Sequence, residues 1–422
     1  MYIRQKTYYK RKNNAASRRI FLWAALFLAF SLTGCAAGDS GEENGSAYVF
    51  ETQFHSPKGG VEDFTVFGDS VYYSTFDGEF YQWTPGGVVQ KLDIASFTPE
   101  ADGRILQADF QGNLYVFYHV PESQTNTDFA ANYLVKYDAD GKELARENIS
   151  RLTRQFSPYE TAVDAEGRIY LMGNDRLLQF DGACNYIGAA ESPEEERLIW
   201  LAGDDRGHVY CCLSDDRTNR GIIREAAHGK KASIDDQSAS PEGNQSTPLE
   251  DTQSAVPGDA PIAFMGNVVG EFQAGNHLAV YGENRFLTSM GNALYLYDAA
   301  AKTQTVLLQW ANCDINPGSV QRLATLADGR ILVNLQEEGG IGELALLAEV
   351  PREQAAQKDV ITLGILQASN SYLLRCVSQF NRNFPDCRIE IREYYDALLD
   401  SGQPEAAKEA RTKFWERVIF PI

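Results

Sequence analysis

From about Ala47 onward the apolar positions fall in short runs rich in aromatic and β-branched residues, separated by Gly, Asp and Asn turns. A unit recurs within this region: a turn glycine, one or two residues, an apolar residue, then Tyr or Leu. It stands at Gly68-Asp-Ser-Val71-Tyr72, Gly112-Asn-Leu114-Tyr115 and Gly167-Arg-Ile169-Tyr170. It returns at Gly207-His-Val209-Tyr210, Gly291-Asn-Ala-Leu294-Tyr295 and Gly329-Arg-Ile331-Leu332. The intervals between these glycines are 44, 55, 40, 84 and 38 residues, and the long one holds a low-complexity insertion. The underlying period of about 40 is the size of a four-stranded propeller blade. Strand, turn and strand at even spacing, without helical periodicity, predict radial repetition rather than βαβ units. The expectation is a mostly β chain, a β-propeller of six to eight blades over residues 47–350, with a pair of β-sandwiches as the alternative. A seventh blade has room in the 84-residue interval. The strand-like Ala47–Gln53 is placed to pair with the last blade and close the ring.

The pattern changes after Pro351. A polar linker, residues 351–358, leads to the apolar run Val360–Leu366, which reads as a buried strand. Leu373, Leu374, Val377 and Phe380 then recur at helical spacing within Ser371–Arg382. Asn383-Phe384-Pro385-Asp386 ends that helix, Cys387–Tyr395 alternates as a second strand, and residues 397–418 read as helical around Gly402-Gln-Pro404. Residues 359–422 therefore predict the opening of an α/β domain. Within the propeller region, residues 229–261 are rich in Ser, Pro, Gly, Gln and acids with almost nothing to bury, and predict a disordered insertion.

At the other end, residues 1–34 carry Arg4, Lys6, Lys10, Arg11, Lys12, Arg18 and Arg19 and no acid, followed by an apolar run from Ile20 to Leu32. The run is short of the roughly 20 apolar residues that span a bilayer and fits the core of a secretory signal peptide. Leu32-Thr33-Gly34-Cys35 resembles the lipobox of bacterial lipoproteins. The resemblance implies cleavage before Cys35, acylation of its thiol, and a membrane anchor outside the cytoplasm. Residues 35–46 are then a small, acidic spacer after the lipidated cysteine. Removing residues 1–34 would take the net charge from −20 to −27, which argues against nucleic acid as a partner.

Residues 359–422 resemble the beginning of family 1 extracellular solute-binding proteins, the receptors of bacterial ABC importers. The likeness rests on the strand Ile361–Leu366, the helix ending Gln379-Phe380-Asn381, the Phe384-Pro385-Asp386 turn and the strand Ile389–Tyr394. The resemblance implies a role in solute uptake, carbohydrate foremost, with an ABC importer permease as partner. In that family the second lobe and most of the ligand pocket follow later in the chain. At Ile422 only the opening units have appeared, so the solute-binding domain is incomplete over this sequence and no family binding residue transfers to it. The propeller units also resemble extracellular NHL or lyase-type propellers, through a turn glycine and an aromatic that imply fold and little else.

Signals of chemistry are few. His55, His119, His208, His228 and His277 show no metal-ligand spacing, and there is no Cys-x-x-Cys, nucleophile elbow or P-loop. His208 reads as an exposed turn residue, and Asp138-Ala-Asp140-Gly141 as a hairpin turn rather than a calcium loop. The six cysteines after Cys35 show no disulfide framework and read mostly as small buried residues, Cys211 and Cys212 pointing to opposite faces of one strand. Trp83, Trp200 and Trp310, with Tyr81 and Tyr118, are candidate stacking platforms for sugars, although aromatics are 11% of the chain and most must fill space between blades. No cofactor or metal is implied. The reading is a lipid-anchored, non-catalytic binding or scaffold module. The alternatives are a propeller lyase or glycan hydrolase and a purely structural interaction module.

Overall fold

A computed structural model describes residues 48–94, 101–124, 130–153, 158–173, 176–191, 196–215, 220–226, 265–273, 275–337, 341–355, 358–366, 371–395 and 404–415. The signal peptide, the lipobox with Cys35, the spacer and the insertion at 229–261 lie outside the described residues.

Among the described residues, six four-stranded antiparallel sheets follow one another along the chain. Blade I is β2 (Val61–Phe67), β3 (Ser70–Thr75), β4 (Phe80–Trp83) and β5 (Val89–Lys91). Blade II is β6 (Asp102–Ala108), β7 (Leu114–Val120), β8 (Ala131–Tyr137) and β9 (Glu143–Asn148). Blade III is β10 (Glu160–Val163), β11 (Ile169–Gly173), β12 (Arg176–Phe180) and β13 (Tyr186–Glu191). Blade IV is β14 (Arg197–Gly203), β15 (Val209–Asp215), β16 (Arg220–Ala226) and β17 (Met265–Gln273). Blade V is β18 (Leu278–Val280), β19 (Arg285–Met290), β20 (Ala293–Asp298) and β21 (Thr303–Gln309). Blade VI combines β22 (Val320–Thr325), β23 (Ile331–Leu335) and β24 (Glu343–Pro351) with β1 (Tyr48–His55) from the other end of the chain. The first strand of each blade touches the first strand of the next, from β2 round to β22 and back, so the sheets form a closed ring. The chain is a six-bladed β-propeller.

The ring is fastened as the N-terminal strand predicts. β1 pairs antiparallel with β24 from Tyr48↔Pro351 to His55↔Leu344. The interval expected to have room for a seventh blade is filled by β15–β17, the insertion and the start of blade V. The repeat slips one strand there: Gly291 lies in the β19–β20 turn, and the turn equivalent to the other five is at Gly282.

Burial explains the apolar runs. β3, β7, β11 and β23 are buried almost throughout, because each is packed on both faces by neighbouring blades, whereas β5 and β9 at the rim are largely exposed. In three of the six repeats the glycine ends a turn begun by an aspartate, at Gly112, Gly167 and Gly207. Asp109 Oδ1 accepts from the Gln111 and Asn113 amides at 2.9 Å each while Gly112 sits at φ +80°. The same device recurs at Asp164, Asp204 and Asp138. An Asx-type turn of this kind mimics a backbone turn and leaves the left-handed position to glycine.

Beyond blade VI, β25 (Asp359–Ile365) and β26 (Cys387–Glu393) pair in parallel, connected through α1 (Ser371–Asn383), and α2 (Pro404–Phe414) follows. This βαβ unit packs on the turn between blades V and VI. Ala311 joins Leu374, Val377, Ile389 and Ile391 in one buried cluster. Asn312 caps β26, and Arg388 reaches the Asn312 carbonyl at 2.8 Å and Asp314 at 2.6 Å. From α1, Arg382 grips Glu343 at 2.6 and 2.9 Å and lies 3.9 Å over the Phe54 ring.

Candidate functional site in the propeller channel

The inner strands β2, β6, β10, β14, β18 and β22 each pair on one side only, so their free edges surround the central channel. Side chains couple these edges. Thr65 accepts from the Ala108 amide at 3.2 Å, Thr161 donates to the Leu106 carbonyl at 2.8 Å, and Thr325 donates to the Val280 carbonyl at 2.5 Å. The largest contribution is Arg322 on β22. Its guanidinium donates to Asp63 at 2.7 Å and the Phe64 carbonyl at 3.0 Å, and approaches the Leu106 carbonyl and the Thr161 hydroxyl at 3.4 Å. One side chain from blade VI thus touches blades I, II and III.

Below this bridge lies a cavity of about 90 Å³, with walls from all six inner strands. It is asymmetric. Blades I, II, III and VI contribute the polar Thr65, Gln107, Glu160, Thr161, Arg322 and Thr325, whereas β14 and β18 contribute Leu201, Ala202, Gly203, Leu278, Ala279 and Val280, none with a polar side chain. Burial pushes the Glu160 carboxyl up to about 7, with Asp63 adding to the shift and Arg322 opposing it. Glu62, beside Asp63, is also pushed up to about 7, by burial first and then by Asp102, against the pull of Arg104. Its Oε2 is buried without a hydrogen-bond partner among the described residues. Burial acts against the Arg322 charge, but Asp63 and Glu160 outweigh it and hold the guanidinium raised.

The aromatic and histidine candidates from the sequence lie outside the residues that line this cavity. Trp83 is 3% exposed and stacked on His55 with 4.5 Å between ring centroids, and Trp310 is fully buried with its indole N–H donating to Ser289 at 3.0 Å. Both fill blades rather than offering a platform. Tyr118 is buried against Phe80, and Tyr81 is stacked on Tyr73. Trp200 on β14 stays half-buried, donates to the Gly275 carbonyl at 3.1 Å and tilts against His277. His208 is an exposed turn residue bonded to Asp204 at 2.8 Å. Cys184, Cys211, Cys212 and Cys313 are buried and free; Cys376 is exposed. Cys211 and Cys212 belong to two different core clusters, as opposite-facing neighbours must. Among the described residues no group of three or more His, Cys, Asp or Glu side chains is placed to hold a metal ion, and no helix is long and apolar enough to cross a membrane.

The channel residues escaped sequence reading because their partners are remote. The available signal was a charge inside a strand that is otherwise apolar or neutral, Val320-Gln-Arg322-Leu-Ala-Thr325.

No protein-family model matches the chain, and no curated protein matches it. Solved structures with a similar fold include a chain of the mitotic checkpoint complex, at 12% identity and TM-score 0.42 over 74% of this chain and 96% of that one. Another is a gluconolactonase from Xanthomonas campestris, at 13% identity and TM-score 0.40 over 72% and 90%. A third is YCF48 from Cyanidioschyzon merolae, at 13% identity and TM-score 0.37 over 67% and 80%. At these scores the neighbours argue nothing about activity, and the propeller rests on its own sheet order.

Proposed function

We propose that this chain is a non-catalytic binding and scaffold lipoprotein, anchored through acylated Cys35 outside a bacterial membrane and serving ABC-type uptake, with carbohydrate as the solute class. The observation that carries this reading is the docking of the βαβ unit. The Asn312, Arg388 and Arg382 contacts couple that unit to the ring, so the propeller is suited to present it at a fixed orientation.

The test has two readouts on the full-length chain expressed in bacteria. Labelled palmitate should enter the parent and not Cys35→Ala, and the parent alone should float with membranes. A panel of oligosaccharides, titrated calorimetrically, should include at least one that binds saturably. An unlabelled, freely soluble parent overturns the anchor, and a panel without binding overturns carbohydrate as the solute class.

A further inference from the structure

Two groups in the channel retain unused hydrogen-bonding capacity. One terminal nitrogen of Arg322 is well engaged by Asp63 and the Phe64 carbonyl, at 2.7 and 3.0 Å. The other makes only the 3.4 Å approaches to Leu106 and Thr161. Charge-assisted N–H···O bonds close to about 2.7–2.9 Å when geometry permits. Glu160 lines the same cavity, and what acts on its carboxyl is burial and the charges of Arg322 and Asp63. An under-used cationic donor and a carboxyl held only by charge interactions therefore border one partly open cavity.

We propose that this cavity binds a small zwitterion, the head group of an α-amino acid. Its carboxylate takes the second terminal nitrogen of Arg322, and its ammonium takes Glu160. Size sets the upper bound. A cavity of about 90 Å³ is smaller than the roughly 150 Å³ that accommodates benzene, and suits molecules such as glycine or alanine. Charge sets the class. A lone anion would meet the repulsion of Glu160 and Asp63, and a lone cation would meet the guanidinium while leaving its donors unanswered. A zwitterion satisfies both groups at once and brings no net charge into a space where unpaired charge is expensive. On β14 and β18, Ala202, Gly203 and Ala279 leave room, and the unpaired strand edges can accept the remaining ammonium hydrogens.

Ionised Glu160 is required for the ammonium contact. Its carboxyl lies at about 7 because of burial and Asp63 from β2, opposed by Arg322 from β22, so affinity should rise as pH rises through neutrality.

The inference deepens the binding reading of the propeller and is separable from the anchor and the carbohydrate panel, neither of which involves the channel. The experiment is isothermal titration of the full-length chain in detergent with glycine, alanine, acetate and methylamine at about pH 8 and again near pH 6. Glycine or alanine should bind saturably, more tightly at the higher pH, and at least about tenfold more tightly than acetate or methylamine. Glu160→Gln, which preserves shape, should still unfold in one cooperative thermal transition and weaken that binding by about tenfold or more. Binding of none of the four leaves a water-filled channel and overturns the proposal. Acetate or methylamine as the better ligand overturns it in favour of a simple ion site, and so does a Glu160→Gln variant that binds glycine as the parent does.

Discussion

Asn312 and Ile391 exchange two hydrogen bonds: the Asn312 amide donates to the Ile391 carbonyl at 3.1 Å, and the Ile391 N–H donates to Asn312 Oδ1 at 2.8 Å. A side chain of the propeller thus plays the part of a neighbouring strand for β26. Asn381 performs the same exchange from α1 with Ile389, at 3.0 and 2.7 Å, so two successive positions on one edge of β26 are each held by an asparagine. Asn312→Ala leaves both Ile391 groups without these partners, at about 1–3 kcal/mol. Amide exchange at Ile391 should accelerate while the inner strands keep their protection. Unchanged exchange there would show that the βαβ unit holds its place without the propeller.

Arg322 and Asp63 form an ion pair across the join between blades VI and I, with both side chains about 15% exposed. Removing one partner of such a pair leaves a poorly solvated charge. Arg322→Ala should lower unfolding free energy by about 3–5 kcal/mol. In a double-mutant cycle with Asp63→Ala, measured by urea unfolding, the two losses should couple by at least about 1.5 kcal/mol. Strict additivity would mean that the bridge to Phe64, Leu106 and Thr161, rather than the ion pair, carries the effect.

How much of this was legible follows from sequence distance. Blade repeats were readable because each turn is local, and in three of them an Asp-x-x-Gly turn is completed within five residues, as from Asp109 to Asn113. The one slip, Gly291 taken for the equivalent of Gly282, arose because a β19–β20 turn carries the same Gly-x-apolar-Tyr signature as a β-strand turn nearer the channel. The strands and first helix of the C-terminal unit were readable for the same local reason, but the apolar run of β25, expected to be buried, is exposed over Asp359–Thr362 and only partly buried beyond. The channel was not: Arg322 finds Asp63 259 residues away and Thr161 161 residues away, and no window of sequence holds either pair. Trp83 and Trp310 drew notice as large aromatics, yet composition does not distinguish a ring that fills a blade from one that faces a ligand.

Glu62 and Glu160 give the fold a pH dependence of definite sign. Both carboxyls titrate near 7 in the folded chain, against about 4.3 for an unfolded glutamate. Below the unfolded value both states are protonated and the contribution is fully present. As pH rises the unfolded chain ionises first, and stability falls until the folded carboxyls have ionised at about 7. The parent should therefore lose on the order of 1–3 kcal/mol between about pH 5 and 7.5 that Glu62→Gln/Glu160→Gln does not lose. Thermal melts of the two proteins across that range make the comparison. Parallel curves would place both carboxyls in water.

Gly167, Gly207 and Gly329 occupy equivalent turns with φ of +78°, +85° and +85°, yet their surroundings differ. A Cβ on Gly167 or Gly329 would meet nothing within 4 Å, whereas one on Gly207 would lie 2.3 Å from the Ala165 amide nitrogen. Ala165 belongs to the β10–β11 turn of blade III, so Gly207 marks where two blades approach backbone to backbone. Gly167→Ala and Gly329→Ala should each cost about 1–2 kcal/mol, the penalty of a left-handed alanine. Gly207→Ala adds the displacement of a neighbouring blade and should cost about 2–5 kcal/mol. Urea midpoints for the three variants test this directly. Equal losses at all three would mean that blades III and IV are not in contact at this turn, and the tightness of the ring on that side would have to come from elsewhere.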